Sequence, residues 1–106
     1  MKIEGGHLMK TIIVKQLCSD TFSKKNALLL RNEISKSLKQ EESIMLDFEG
    51  TSKYTTLFFN FSTGYFISLL SKEEYDKRIL LKGLSPLGKS MYRASYNNAV
   101  IKEEFQ

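Results

Sequence analysis

The stretch Ile44-Met45-Leu46-Asp47-Phe48-Glu49-Gly50-Thr51-Ser52-Lys53-Tyr54-Thr55-Thr56-Leu57-Phe58-Phe59-Asn60-Phe61 decides the fold. Its first five residues are apolar except Asp47 near the end, which predicts a buried strand. Gly50 to Lys53 is polar and predicts a loop. From Thr55 or Thr56 onward, Phe58, Phe61, Tyr65 and Leu69 recur at helical spacing, with Phe59, Phe66 and Leu70 beside them. That pattern predicts one helix, apolar on nearly every side, with Gly64 as a weak point in its interior.

Working outward, the apolar run in Lys10–Leu17 predicts a first strand, ended by the turn formers Ser19 and Asp20. Ser23 is placed to cap a helix whose Ala27, Leu30, Ile34 and Leu38 share a face, opposite Lys25, Arg31, Asn32 and Lys36, and which runs to about Lys39. Beyond the central stretch, Ser71 to Lys77 reads as a charged connector and Ile79-Leu80-Leu81 as a third short strand. Gly83 then breaks the chain. Ser85 and Pro86 supply a cap and a first-turn proline for a third helix carrying Leu87, Met91 and Ala94. Val100 and Ile101 read as a last strand or an extended tail. Strands alternating with crossovers of helical length predict a single small α/β domain, its sheet mainly parallel or mixed, with helices packed on it in two or three layers.

At 106 residues the chain has material for one core rather than two. A 42% hydrophobic content and 26% charged content place it among globular domains rather than disordered segments. The net charge of +4 is spread along the chain without a basic run, and most aromatics fall in core-like periods, so nucleic acid is not the expected partner. One cysteine, Cys18, excludes an internal disulfide, and neither a signal peptide nor a spanning apolar run is visible. A cytoplasmic location without membrane contact is the expectation, with Cys18 a structural thiol.

Residues 1–8 are polar and carry two glycines ahead of a second methionine, Met9. Glu4-Gly5-Gly6 is encodable by a purine-rich ribosome-binding sequence, with His7 and Leu8 as spacer to a start at Met9. The segment therefore reads as translated leader or cloning remnant, and the domain as residues 9–106. His7, the one histidine, is a poor site candidate, so no metal and no cofactor are expected.

Three stretches carry a family resemblance: Thr21-Phe22-Ser23-Lys24-Lys25-Asn26-Ala27, Leu46-Asp47-Phe48-Glu49-Gly50, and Thr55-Thr56-Leu57-Phe58. Met91-Tyr92-Arg93-Ala94 adds a fourth, looser one. With these the chain resembles the STAS-like domains of bacteria and phages, related to the sulphate-transporter and anti-sigma-factor-antagonist domains. The resemblance implies a non-enzymatic regulatory module that binds a protein partner, such as a histidine-kinase-like ATPase, through the loop entering the second helix. Here that loop is Glu49, Gly50, Thr51, Ser52, Lys53 and Tyr54. By position the resemblance makes Thr56 the candidate phosphoacceptor, with Thr55 where the antagonists often carry Asp. A phosphate at a helix start meets favourable amides, and Asp47 or Glu49 would repel it. The plain alternative is that Thr55 or Thr56 only caps the helix.

Gly83-Leu84-Ser85-Pro86-Leu87-Gly88-Lys89-Ser90 matches the phosphate-loop formula between a predicted strand and helix. In such a site Gly83 and Gly88 would let the backbone wrap phosphate, Lys89 would reach the outer phosphates and Ser90 would hold magnesium. Pro86 at the first helical position predicts instead that the helix starts before Gly88. The acid pairs Glu41-Glu42 and Glu73-Glu74 read as solvated, and Tyr92 and Tyr96 as core-facing. The apolar second helix invites a second protein or a homodimer contact. The readings carried forward are the regulatory binding module first, then a nucleotide-binding protein using Gly83–Ser90, then a nucleic-acid-binding or mobile-element regulator.

Overall fold

The computed structural model describes residues 9–104; the leader assigned to residues 1–8, with His7 inside it, lies outside the described residues. In chain order the elements are β1 (Met9–Ile13), α1 (Val14–Leu17), α2 (Lys24–Leu38), β2 (Ser43–Asp47), α3 (Thr56–Phe61), α4 (Thr63–Leu70), α5 (Lys72–Arg78), β3 (Ile79–Lys82) and α6 (Pro86–Glu104). The three strands form one parallel sheet in the order β1-β2-β3, with Ile12 beside Leu46 and Ile44 beside Ile79. The expected α/β domain is what the chain forms.

Alternation along the strands sorts the two faces of the sheet. Ile12, Ile44, Leu46 and Ile79 share one face and are buried in the core, where both α2 and α5 pack against the central strand. The other side carries Met9, Thr11, Ile13, Met45 and Leu80, of which Met9 and Ile13 remain more than two-fifths exposed. The central strand was expected to be buried throughout, yet it alternates buried with half-buried residues, because the described helices cover one face. Beyond α3 and α4, α6 forms an outer layer that touches both.

Four element boundaries differ from expectation. The first strand ends at Ile13, and Val14–Leu17 forms a single helical turn that buries Val14 and points Lys15 outward. The long apolar helix is two, broken at Ser62, whose ψ of −86° lies off the helical value. Its buried stripe runs Phe58, Phe59, Ser62, Thr63, Phe66, Ile67 rather than through Tyr65 and Leu69, which are exposed. Two polar residues occupy that stripe because their hydroxyls donate back to the carbonyls of Phe58 and Phe59, at 2.7 and 3.3 Å.

The connector from Ser71 is the helix α5: Ser71 caps it, acids fill its first turn, bases its last, and Tyr75 anchors it in the core. In α6 the inward face is Gly88, Met91, Tyr92, Ser95 and Tyr96, so Leu87 and Ala94 point to solvent. Val100 and Ile101 continue α6 rather than forming a strand or tail. Gly64 sits where α4 meets α6: a Cβ there would lie 3.2 Å from the Phe59 carbonyl and 3.5 Å from Ser95 Oγ.

Candidate functional site

Parallel strands discharge their loops at one edge, and the loops after β1 and β2 meet there. Residues 18–23, between α1 and α2, form the first wall. Asn26, buried on the first turn of α2, organises it: Oδ1 accepts from Ser19 N–H at 3.0 Å, and Nδ2 donates to Ser19 Oγ, Asp20 Oδ2 and Ser23 Oγ at 3.1–3.2 Å. Asp20 Oδ1 accepts from the amides of Phe22 and Ser23 at 3.0 and 2.8 Å. Those bonds, the Phe22 amide foremost, hold the Asp20 carboxyl below its ordinary value. Cys18 Sγ donates to the Asn26 carbonyl at 3.4 Å, and burial, reinforced by the Asp20 charge, pushes the thiol up to about 11. Cys18 is therefore a protonated structural group.

The second wall is the loop after β2. Asp47 Oδ1 accepts the Glu49 amide at 3.0 Å and turns the chain outward. Thr51 Oγ1 donates to the Phe48 carbonyl at 2.6 Å and meets the Tyr54 hydroxyl at 2.7 Å; Tyr54 also donates to the Thr51 carbonyl at 3.1 Å. Tyr54 is buried, with its ring against Gly88, where a Cβ would lie 2.8 Å from the ring carbons. Thr21 joins the walls by a parallel bridge to Tyr54 and a hydrogen bond from its hydroxyl to the Lys53 carbonyl.

Between the walls lies a cleft of about 450 Å³, lined by Lys15, Cys18, Ser19, Asp20, Thr21, Phe22, Gly50, Thr51, Ser52 and Lys53. Thr55 is the N-cap of α3: Oγ1 accepts from Phe58 N–H at 3.0 Å and donates to the Phe22 carbonyl at 2.8 Å. Thr56 follows, half-exposed, and its hydroxyl has no hydrogen-bond partner among the described residues. Phe22 and Leu57 stand 44% and 42% exposed beside the two threonines.

The expected loop residues thus divide. Glu49, Gly50, Ser52 and Lys53 face solvent, Thr51 is half-buried by its internal bonds, and Tyr54 belongs to the scaffold rather than to a partner-facing surface. Lys15, Ser19 and Phe22 were not singled out for this site, because more than two dozen residues separate them from the second wall. The available signal was the Asp20-to-Asn26 run of turn and cap formers following a strand.

Gly83 to Ser90 forms no open phosphate-wrapping loop. Pro86 starts α6, Ser85 Oγ accepts from Gly88 N–H at 3.1 Å, and the Ser85 carbonyl accepts from Lys89 N–H at 2.8 Å. Gly88 is buried for the Tyr54 ring, while Lys89 and Ser90 are exposed. Gly83 has φ +84°, and a Cβ on it would come 2.5 Å from the Glu49 amide, so this glycine lets the β3 exit pass the β2 exit. Among the described residues no three His, Cys, Asp or Glu side chains converge, and no helix is long and apolar enough to cross a membrane.

A family model described as "STAS-like domain of unknown function (DUF4325)" matches residues 26–89, more than half of the chain. The matched segment contains all of the second wall and begins at Asn26, the organiser of the first. Comparison with curated proteins and with solved structures gave no match.

Proposed function

The chain belongs to the STAS-like family, and from that premise we propose that it is a non-catalytic regulatory module whose docking surface is the rim of the cleft, from Glu49 to Lys53 together with Phe22, Thr56 and Leu57. The observation that carries this reading is the contrast between the two sides of the loop. Underneath, Thr51, Tyr54, Thr21 and Thr55 tie it to the body through side-chain hydrogen bonds. On top, polar loop residues and two exposed apolar side chains face solvent. A rigid loop with apolar anchors on its rim loses little conformational freedom on binding, which favours recognition.

The proposed partner is a histidine-kinase-like ATPase in the cytoplasm, and the proposed switch is phosphorylation of Thr56. Its hydroxyl is half-exposed and free of hydrogen bonds to the described residues, whereas that of Thr55 is engaged twice. A phosphate would add up to two negative charges at the centre of the rim and change the partner it fits. The switch does not draw on a helix dipole, because α3 is only six residues long.

The test mixes the full chain with a purified histidine-kinase-like ATPase, with and without magnesium ATP. Phosphate incorporation should vanish in Thr56→Val and persist in Thr55→Val. Binding should weaken by about tenfold or more in Phe22→Ala and in Leu57→Ala, the loss typical of an apolar anchor. Undiminished incorporation in Thr56→Val overturns the switch, and full-strength binding by both rim variants overturns the surface.

A further inference from the structure

We infer that the cleft beside this rim is an anion subsite of the docking surface, taking a carboxylate or phosphate carried on the partner's polypeptide. The inference rests on the docking reading above and adds the chemistry of what is docked. Its starting point is Lys15, on the helical turn that the sequence had placed inside a strand. Because β1 ends at Ile13, Lys15 leaves the sheet edge pointing across the second wall. Its side chain lies over Gly50: a Cβ added there would meet Lys15 Cδ at 2.9 Å and Nζ at 3.0 Å. Gly50 has φ +85°, a conformation that already disfavours any other residue, and its missing side chain is the space the ammonium occupies.

The unpaired charge in the cleft is positive. Among the described residues the ammonium groups of Lys15 and Lys53 have no carboxylate within ion-pair distance, although both line the cavity. Ser52 is exposed, and its hydroxyl has no partner among the described residues. The one carboxylate in the lining, Asp20, is turned into its own wall, its oxygens accepting from Phe22 N–H, Ser23 N–H and Asn26 Nδ2. It carries a charge, but its acceptor capacity is directed at the start of α2 rather than at the cavity. Two unpaired cations against one consumed anion leave a site that recognises negative charge.

The volume of about 450 Å³ exceeds what one oxyanion fills and falls in the usual range for ligand clefts. Phe22, exposed on the rim, gives an apolar neighbour to whatever is bound. An acidic residue followed by an apolar one in a partner segment would match both features.

The test is an amide-resolved NMR titration of the full chain with a hexaglutamate peptide, with hexaglutamine and inorganic phosphate as parallel probes. Hexaglutamate should move the Ser19, Gly50, Ser52 and Lys53 amides saturably, and hexaglutamine should not. Lys15→Ala and Lys53→Ala should each weaken the effect about tenfold, the loss of one charge-assisted hydrogen bond, while Lys15→Arg keeps most of it. Lys89→Ala, outside the cleft, should change nothing, and unchanged resonances of the core in each variant show that it is folded. Shifts spread over remote lysines, or equal loss in Lys89→Ala, overturn the subsite. Saturation by phosphate that hexaglutamate does not compete with overturns the polypeptide source. Hexaglutamate binding lost in Lys15→Ala, with ATPase capture at full strength there and in Phe22→Ala, removes the docking reading and leaves the anion site. ATPase capture lost in Phe22→Ala with no hexaglutamate binding does the reverse.

Discussion

The hydroxyl of Thr55 holds two parts of the molecule at once, capping α3 through the Phe58 amide and fastening the first cleft wall through the Phe22 carbonyl. Thr55→Ala removes both bonds and should cost about 1–2 kcal/mol, with Thr55→Ser restoring most of it. Thr56→Ala, which breaks no side-chain hydrogen bond among the described residues, should leave stability within about 0.5 kcal/mol. Thermal denaturation of the three variants checks the difference. It separates the structural threonine from the one available for modification, which spacing alone left open. Ser37 gives the opposite case. It is buried on α2, and its hydroxyl has no partner among the described residues. Ser37→Ala removes an unsatisfied polar group and substitutes a better helix former, so it should raise stability by about 1 kcal/mol, or about 4–8 °C in Tm.

At the scale of elements, Arg78 fastens the two crossovers at the end where α2 stops. Its guanidinium donates to the carbonyls of Leu38, Glu41 and Glu42 at 2.7–3.0 Å, closing the end of α2 from the last turn of α5. The fork geometry matters, so Arg78→Lys should cost about 1–3 kcal/mol even though the charge is kept. Urea denaturation should show a lower midpoint with an unchanged slope. This contact depends on a helix that the sequence did not disclose. Lys72–Arg78 has a cap and the right order of charges but a single apolar anchor, Tyr75, so no stripe marked it as an element. The α2 helix was legible because its cap and its period agree. The break at Ser62 was not, because polar residues that hydrogen-bond to their own helix look like a solvent face in a sequence. The cleft was half legible for a related reason. The second wall is contiguous, whereas Lys15 and Phe22 reach it through long-range contacts, the parallel pairing of β1 with β2, the Thr21–Tyr54 bridge and the Thr55 bond to the Phe22 carbonyl.

For the molecule as a whole, the outermost helix is joined to the rest through phenols as well as apolar contacts. The Tyr75 and Tyr92 hydroxyls meet at 2.8 Å, Tyr96 donates to Asp76 Oδ1 at 2.8 Å, and Lys72 pairs with the other Asp76 oxygen at 3.1 Å. Burial raises Tyr92 from 10.0 to about 12 and raises Tyr75 well above its ordinary value; burial also raises Cys18 from 9.0 to about 11. In each group the neutral form is the one that the fold accommodates. The contribution of these groups is therefore complete below the unfolded values and is lost as pH rises through the folded ones. Stability should decline from about pH 9 as the unfolded Cys18 thiol begins to ionise. The decline should steepen between about pH 10 and 12 as the unfolded tyrosines follow. Tyr92→Phe should lose about 1–3 kcal/mol near neutrality, because Tyr75 loses its phenolic neighbour, and should show a shallower decline in the upper part of that range. Denaturant midpoints measured across alkaline pH for the wild type and this variant test both statements. An identical slope in the two would place the alkaline weakness outside the contact between α5 and α6.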